Sequence, residues 1–376
     1  MRKIAYFISF DWGWIKQRPH FIAEMLSNDY QVDVFYRKAN RVQKKDLPNE
    51  KPHGMSNLDI KGFRYIPFSA IPVFKNFNLE YINRLNIRRQ LPSLKNYDYV
   101  WITEPTQIDY VKPLIGDKTK IIYDCMDDVA EFPHIKSNTL LKERVLNDEK
   151  YILQKAFLVV CSADYLKNKV LNRAQVKRDD VIIVNNAIEL PKKEDSGNIP
   201  SSIKELKDTI LSMSKPLLYT GTIDAWFDFD TIKVALNEIP DLNIVLLGPM
   251  RTTLPKHDRI HHLGTIDRKF LFQIMPCSYG LIMPFKLNEL IKSVNPVKLY
   301  EYIYTGKPII ATRYGETEKF SQFVNLYSTP QEFVEYVFGI EKVKNDNEYM
   351  QMCRDYVSQN TWNSRYKTIK LKMAEE

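Results

Sequence analysis

A lysine and a glutamate three residues apart form the most informative pair of charged residues in this chain. Lys298 and Glu301 lie in the stretch 295–312, NPVKLYEYIYTGKPIIAT, at the start of a helix predicted over residues 297–304. A lysine can pair with a phosphate, and a carboxylate can accept two hydrogen bonds from a ribose diol. The helix N-terminus adds a positive end that favours an anion. The pattern predicts a site for a nucleoside diphosphate.

Two glycine-containing segments that follow predicted strands could add contacts to such a ligand. Gly221 and Thr222 follow the strand predicted at residues 216–220, and glycine lets a phosphate or sugar approach backbone N–H groups. Arg251 follows another strand and could pair with the diphosphate. Asp228, a few residues after Gly221, has the simpler interpretation of a helix cap.

The loop after the first predicted strand, DWGWIKQRPH at residues 11–20, is a candidate for binding a sugar acceptor. Ligands of open parallel sheets bind beyond the carboxyl ends of strands. Gly13 allows close backbone approach, Trp14 could stack on a sugar ring, and Arg18 could bind a polar group. The alternative is a helix start with the tryptophans in the core and with Arg18 and His20 in structural roles.

Three acids in five positions follow another apolar strand, in the segment YDCMDD at residues 123–128. They could coordinate a metal or supply a general base, and Asp127 is the predicted base. The alternative interpretation is structural, with Asp124 bonded to a neighbouring loop and Asp128 capping a short helix.

The elements that must position these residues alternate between short apolar strands and longer helices. Strands that are apolar on both faces and alternate with helices predict an α/β fold with covered parallel sheets. Helices are predicted at residues 16–27, 140–155, 229–237, 268–275 and 297–304. Strands are predicted at residues 4–9, 31–36, 99–103, 120–124, 157–161, 181–184, 216–220, 243–247, 259–262, 280–283 and 308–311.

The alternation is interrupted once, by the Pro-, Ser- and charge-rich segment LPKKEDSGNIPSSI at residues 190–203. We interpret it as a linker, which predicts two domains of similar size with a ligand cleft between them. The twelve glycines include no GxGxxG and no Walker loop, which counts against a dehydrogenase or an ATPase.

Composition narrows the class of protein further. With 44% hydrophobic and 27% charged residues, the 376-residue chain is typical of a globular protein in solution. The four cysteines have no metal-finger or redox spacing, which favours buried free thiols in a reducing cytoplasm. The seven-residue apolar run near the N-terminus predicts a buried strand, and no run is long enough to span a bilayer.

The net charge of +8 is concentrated in residues 37–92, which hold twelve Lys/Arg against four Asp/Glu. The aromatic residues Phe74 and Phe77 and the aliphatic Leu85 are interleaved with them. The segment is either a solvated basic face or a surface for an anionic membrane or an acidic acceptor. No nucleic-acid-binding pattern accompanies it, so nucleic acid is not an expected partner.

The order of segments resembles the group 1 family of retaining, nucleotide-sugar-dependent glycosyltransferases with the GT-B fold. It is most similar to members that build bacterial surface polysaccharides such as teichuronic acid or capsule. The similar segments span nearly the whole chain, and they are QRPHFIAEML, YDCMDD, VVCSADYLKNKV, IVNNAIEL, YTGTIDAWFDFD and NPVKLYEYIYTGKPIIAT.

The resemblance implies a fold of two Rossmann-like domains with parallel sheets facing across a cleft. An N-terminal domain, residues 1–190, would bind the acceptor, and residues 191–354 would bind the donor. A C-terminal helix at about 355–376 would pack back on the first domain. Glu301 would hold the ribose and Lys298 the pyrophosphate. Family members carry a further glutamate eight positions before the ribose glutamate, where this chain has Ser293.

The predicted function is transfer of a hexose from a nucleotide diphosphate sugar, expected to be UDP-linked, to a growing surface glycan that could be lipid-linked. The resemblance implies retention at the anomeric carbon. We expect no metal and no cofactor apart from the sugar nucleotide as substrate, and a cytoplasmic enzyme on the inner membrane face. The alternatives are a GT-B-shaped nucleotide-sugar epimerase and a non-catalytic sugar-nucleotide binding protein of a polysaccharide assembly complex.

Overall fold

The chain folds into two compact units, each built on its own parallel sheet. A computed structural model describes residues 1–39, 56–66, 80–191, 199–342 and 347–375. The first unit comprises Met1–Asn185 and Trp362–Glu376, and the second comprises Asn186–Thr361. The sequence placed the boundary after residue 190 instead. Among the described helices, none is long and apolar enough to cross a membrane.

The first unit contains a seven-stranded sheet in which every neighbouring pair is parallel. The strand order is β3-β2-β1-β4-β5-β6-β7. The strands are β1 Lys3–Ile8, β2 Gln31–Arg37, β3 Leu58–Phe63, β4 Tyr99–Ile102, β5 Lys120–Cys125, β6 Leu158–Cys161 and β7 Val181–Ile183. The helices are α1 Arg18–Leu26, α2 Glu80–Gln90, α3 Ile108–Val111, α4 Pro133–Lys136, α5 Thr139–Lys155 and α6 Asp164–Ala174.

The second unit contains a six-stranded parallel sheet of order β10-β9-β8-β11-β12-β13. Its strands are β8 Pro216–Thr220, β9 Asn243–Leu247, β10 Ile260–His262, β11 Gly280–Met283, β12 Ile309–Thr312 and β13 Asn325–Tyr327. Its helices are α7 Ser201–Ser212, α8 Phe229–Glu238, α9 Leu271–Ile274, α10 Glu289–Lys292, α11 Val297–Tyr304, α12 Gly315–Glu318, α13 Pro330–Gly339 and α14 Asn347–Gln359.

Both units have the strand order 3-2-1-4-5-6 of a Rossmann fold, extended by one strand in the first unit. The order reverses between the first and fourth strands, which are β1 and β4 in one unit and β8 and β11 in the other. Central strands such as β4, β8 and β11 are buried along their whole length, as expected where helices cover both faces. The predicted Rossmann-like architecture of the two domains is confirmed.

The last helix, α15 Trp362–Ala374, belongs to the first unit. The ring of its Trp362 stacks on Phe21 of α1 at 4.8 Å, and Tyr366 donates a hydrogen bond to Asp29 at 2.6 Å. The sequence predicted one helix from about residue 355, but the structure divides it into α14 and α15. The helix is interrupted at residues 360–361 because this part of the backbone pairs with Ile188. Ile188 N donates to the carbonyl of Asn360, and Ile188 forms a β-bridge with Thr361.

The predicted strands agree with the observed ones to within one or two residues, but β3 and β13 were missed. Both lie at the edge of a sheet. In β3 the middle residues are partly or fully exposed, so the strand lacks the continuous apolar run of a central strand. The helix predicted at residues 268–275 is a short α9 flanked by 3-10 turns at Arg268–Phe270 and Met275–Cys277.

Candidate functional site

In the second unit, two glycines bring the ends of β8 and β9 into unusually close contact. Gly221 and Gly248 have φ angles of +130° and +145°, which residues with a side chain rarely adopt. A Cβ added to Gly248 would lie 2.1 Å from the carbonyl oxygen of Gly221. The Gly221 N–H donates to Leu247 O at 2.7 Å. The contact between these two glycines lies at the carboxyl end of β8, where the strand order reverses and ligands of such sheets bind.

Lys298, in the first turn of α11, extends over Gly221. A Cβ on Gly221 would lie 2.2 Å from Lys298 Cε, so glycine is the residue that gives the lysine room. The ammonium lies 5.5 Å from the ring centroid of Tyr219 and 6.0 Å from that of Phe285. Burial lowers its pKa, an effect that the charge of Glu301 opposes. Among the described residues, none forms an ion pair or hydrogen bond with this ammonium, which is therefore suited to an anionic ligand.

Glu301 lies one turn further along α11, on the same side of the helix as Lys298. Its side chain is only 8% exposed, and its Oε1 accepts a hydrogen bond from Arg268 Nη2 at 2.7 Å. Arg268 comes from the turn after β10, 33 positions earlier in the chain. Lys298 and Glu301 thus both lie on α11 as predicted, but the two charges differ in their ion-pair partners. The glutamate pairs with an arginine, whereas no described residue forms an ion pair with the lysine.

The helix that carries this pair is held firmly on its sheet. The hydroxyl oxygen of Tyr302 accepts a hydrogen bond from Thr220 N at 3.0 Å, which joins α11 to the end of β8. Before the helix, Asn295 donates to Glu316 at 3.0 Å and accepts from Asn186 N at 3.0 Å. After it, Gly306 has a φ of +67° and ends the helix as the sequence predicted.

The other residues of the second unit that the sequence singled out differ in their accessibility and in their hydrogen bonds. Thr222 is partly exposed beside Gly221, and Arg251 is exposed. Hydrogen bonding from Arg251 N to Ile223 O at 2.8 Å joins its loop to the Gly221 loop. Ser293 is fully buried and donates to Leu290 O at 2.6 Å, so its hydroxyl is engaged with the end of α10. Asp228 caps α8 by accepting from Asp230 N and Thr231 N, as the simpler interpretation predicted.

In the first unit, the loop after β1 is a well-bonded turn. The Asp11 carboxylate accepts from Gly13 N at 3.0 Å and from Ala39 N at 2.7 Å. Trp12 is buried against His20, with the two rings 4.6 Å apart, whereas Trp14 is partly exposed. The structure therefore divides the two tryptophans, with Trp12 in the core and Trp14 nearer the surface.

His20 has a structural role at this turn. Its Nδ1 accepts from Gln17 N at 3.2 Å, and its Nε2 lies 2.9 Å from Trp12 O. An acceptor at one nitrogen and a carbonyl at the other require the neutral ring with its proton on Nε2. Burial lowers the pKa of His20, which favours the same neutral form.

Arg18, predicted as a possible acceptor contact, is only 4% exposed. Its guanidinium donates to Asp124 Oδ1 at 2.8 and 3.0 Å, to Asp124 Oδ2 at 3.1 Å and to Val184 O at 2.6 Å. The Asp124 carboxylate is fully buried. This geometry favours the structural alternative for both residues, because the pair joins α1 to β5 inside the unit.

Asp128 is also fixed by cations rather than by a helix cap. It is fully buried and pairs with Arg173 at 2.7 Å and with Lys169 at 3.0 Å. Although it precedes the 3-10 turn Val129–Glu131, its side chain makes no capping bond, so the predicted cap is wrong. Arg173 also pairs with the buried Glu149. No group of three or more potential metal ligands converges among the described residues.

Asp127 differs from both neighbouring acids. No hydrogen bond or ion pair of its carboxylate is found within the described part of the chain. Burial, together with the charges of Asp124 and Asp128, raises the pKa of Asp127 to about 7, although the charge of Arg18 opposes this shift. A carboxylate with a pKa near neutrality can exchange a proton with a substrate at physiological pH.

The basic segment is described only in part. Phe74 and Phe77 lie outside the described residues. Among its described residues, Tyr81 and Ile82 of α2 are exposed, with 59% and 45% of their surface accessible. Arg88 and Arg89 lie in the last turn of the helix.

Sequence reasoning missed three residues that shape these sites, namely Arg268, Asn295 and Glu316. Arg268 was placed only at the start of a helix, and no local pattern connects it with Glu301. Asn295 stood inside the stretch 295–312 and, as an amide just before a helix, was a visible candidate for a polar contact. Glu316 belongs to the short helix α12 and has no sequence signal for its buried bond to Asn295.

Comparison with known proteins supports the resemblance inferred from the segments. No family model matches the chain. It is 28% identical over 265 residues to the "Putative teichuronic acid biosynthesis glycosyltransferase TuaH" of Bacillus subtilis strain 168. The match covers 66% of this chain and 66% of the relative, so the similarity extends over about two thirds of that protein.

Solved structures share the fold over almost the whole chain. One, described as trehalose-6-phosphate from E. coli bound with UDP-2-fluoro glucose, has a TM-score of 0.69 at 12% identity, covering 98% of this chain and 99% of the other. A mutant of S. aureus TarM in complex with Fondaparinux, alpha-GlcNAc-glycerol and UDP has a TM-score of 0.59 at 7% identity, covering 100% of both chains. The predicted GT-B fold class and the resemblance to group 1 glycosyltransferases are confirmed.

Proposed function

We propose that this chain is a glycosyltransferase that moves a hexose from a nucleotide diphosphate sugar, UDP-linked, to a growing bacterial surface polysaccharide. The observation that carries the proposal is the ammonium of Lys298 beside Gly221, which forms no ion pair or hydrogen bond with the described residues and lies one helical turn from the buried Glu301. The relative named for teichuronic acid biosynthesis and the fold shared with UDP-bound structures support it.

The donor end of the proposal follows from the charges of the second unit. A diphosphate at the carboxyl end of β8 would meet the Lys298 ammonium and the backbone around Gly221 and Thr222. Glu301 would accept hydrogen bonds from the ribose hydroxyls. As the glycosidic bond breaks, negative charge grows on the leaving diphosphate, and Lys298, Arg251 and backbone N–H groups stabilise it without a metal.

The chemical step is assigned to Asp127 of the first unit. In a retaining transfer the anomeric carbon develops positive charge while the acceptor hydroxyl loses a proton. A carboxylate with a pKa of about 7 can take that proton or stabilise the cationic carbon. Gly13 and Trp14, in the loop after β1, are assigned to the acceptor, and Arg18 is assigned to the structure of the unit rather than to the ligand.

The acceptor is proposed to be a lipid-linked glycan at the inner face of the cell membrane. The exposed Tyr81 and Ile82 of α2, together with the basic end of that helix, form a surface suited to anionic lipid headgroups. Flotation with vesicles of anionic lipid should carry the protein upward at low salt and release it at high salt. Protein that stays unbound to such vesicles at low salt would contradict the membrane part of the proposal.

A donor panel tests the proposed function itself. We expect one UDP-sugar to raise the melting temperature, because a ligand that binds the folded state stabilises it. Nucleotide release from that sugar should then accelerate when a glycan acceptor is added, and NMR should show a retained anomeric configuration in the product. Release of a free epimerised sugar would indicate an epimerase instead. Binding without any turnover, with or without acceptor, would indicate a non-catalytic binding protein.

A further inference from the structure

The contact between Arg268 and Glu301 differs from the buried pair of Arg18 and Asp124. In the first unit, Arg18 makes hydrogen bonds to both oxygens of Asp124. Arg268 instead contacts Glu301 through a hydrogen bond from Nη2 to Oε1 at 2.7 Å. Within the described residues, Oε2 of Glu301 has no hydrogen-bond partner. Because a carboxylate offers about four acceptor positions, Glu301 keeps most of its capacity for a ligand.

The same contact also explains why Lys298 stays free. Lysine and glutamate three positions apart on a helix are close enough to form an ion pair. Lys298 does not do so here, and its ammonium lies over Tyr219 and Phe285 instead. Arg268 already supplies the positive charge that the buried Glu301 carboxylate needs. Without the arginine, Lys298, which lies three positions away on the same helix and already feels the charge of Glu301, would be drawn towards that carboxylate.

We propose that Arg268 is a positioning residue of the donor site, which fixes the Glu301 carboxylate for a vicinal diol and keeps Lys298 available for the diphosphate. The inference rests on the proposed function, since it assigns the diol and the diphosphate to one bound nucleotide. It adds a residue that contacts neither group. Loss of Arg268 should therefore weaken recognition of the ribose hydroxyls and of the phosphates together, through a new Lys298–Glu301 pair.

The test measures affinities of the full chain by calorimetry, for UDP, ADP and GDP and for their 2′,3′-dideoxy forms. Wild-type protein should prefer the nucleotide with the diol by about tenfold or more, as expected for hydrogen bonds to a charged group. In Arg268→Met this preference should fall towards one, and affinity for the dideoxy form should fall as well. Arg268→Lys, which keeps the charge but not the planar fork, should retain part of the preference.

Two further variants separate positioning from general stability. If Arg268 acts through Glu301, the double variant Arg268→Met/Glu301→Gln should bind no worse than Glu301→Gln alone. Arg259→Met is the matched control, because Arg259 also lies beside β10 and bonds the end of α8 through Ile239 O at 2.7 Å. It should lower the melting temperature and leave the diol preference unchanged.

The outcomes are distinguishable. An unchanged diol preference in Arg268→Met, or additive losses in the double variant, would overturn the role of Arg268 while leaving the donor site intact. If Arg268→Met does not fold, the same ratio measured in Arg268→Lys decides, and a full wild-type preference there would count against the fork geometry. Wild-type protein that binds no nucleoside diphosphate would overturn the proposed function as well.

Discussion

The acidic segment after β5 and the start of α11 both combine paired charges with one charged side chain that no described residue pairs with. That side chain is an acid in the first segment and a lysine in the second. After β5, Arg18 pairs with Asp124, and Arg173 and Lys169 pair with Asp128, whereas no described residue pairs with Asp127. On α11, Arg268 pairs with Glu301, and Lys298 has no ion-pair partner among the same residues. Burying a charge without a partner is unfavourable, so most such charges are paired. In each of these segments the candidate functional residue is therefore the charged side chain without an ion pair among the described residues, which is Asp127 in the first unit and Lys298 in the second.

The largest expected effect is on Asp127. Replacement by Asn keeps the shape but removes the base, so turnover should fall by about 10²- to 10⁴-fold while donor affinity stays close to wild type. Steady-state kinetics with the identified donor and acceptor measure both quantities. Asp128→Asn is the neighbouring control, and it should act mainly by lowering stability, because Arg173 and Lys169 each lose one ion pair. Full turnover in Asp127→Asn would refute the assignment.

The next effect concerns the paired acid of the same segment. Arg18→Met leaves the buried Asp124 without its countercharge and should lower the free energy of unfolding by about 3–5 kcal/mol. Urea denaturation measures the change. Replacing Asp124 with Leu in the same protein should recover much of the loss, because no charge is then left unpaired. If Arg18→Met has the same denaturation curve as wild type, Asp124 does not depend on its ion pair. Pairing would then not distinguish Asp124 from Asp127.

A smaller effect is expected at the unpaired lysine. Lys298→Met should weaken binding of a nucleoside diphosphate by about 10- to 100-fold, the loss of a charge-assisted contact. Gly221→Ala should weaken it too, since the new Cβ would displace the lysine from its place 2.2 Å away. Burial lowers the pKa of Lys298, so this lysine loses its positive charge at a lower pH than an ordinary lysine. As the pH is raised, affinity for the diphosphate should therefore begin to fall at a lower pH as well. Calorimetry on folded variants tests all three, and unchanged affinities would remove Lys298 from the site.

The remaining prediction is a pH dependence that runs in opposite directions for rate and stability. If ionised Asp127 is the base, the rate should fall about tenfold per unit as the pH drops below about 7. The same raised pKa means that the ionised group destabilises the fold, with the penalty absent below about pH 4, growing up to pH 7 and constant above it. Asp127→Asn should therefore be more stable than wild type at pH 8, by at most about 4 kcal/mol. Equal stability of the two proteins at pH 8 would contradict the raised pKa of Asp127.

Much of the fold could be predicted from local patterns. Central strands such as β8 and β11 are continuous apolar runs, and α11 was bounded correctly at Val297–Tyr304 because Gly306 and Pro308 end it. The edge strands β3 and β13 lacked that signal. The single C-terminal helix was predicted across a break that only the pairing of Ile188 with Asn360 explains.

The site divides in the same way. Lys298 and Glu301 are neighbours in sequence, so a helix of the right phase brings them together. The residues that decide how they behave are distant, since Arg268 is 33 positions from Glu301. In the first unit the sequence singled out Asp127 as the base, but it did not reveal the cations that pair with the other two acids. Arg18 lies 106 positions from Asp124, and Arg173 lies 45 positions from Asp128. Pairing across a fold is a tertiary property, and a single sequence gives no local signal for it.

The most direct test of the whole comparison is the affinity for UDP of three proteins, namely wild type, Glu301→Ala and Asp127→Asn, measured side by side by calorimetry. We predict that Glu301→Ala weakens UDP binding by about tenfold or more and keeps its fold, because the ribose loses its acceptor. Asp127→Asn should bind UDP as tightly as wild type, because its carboxylate serves the chemical step. Equal affinity of wild type and Glu301→Ala would contradict the donor site on α11.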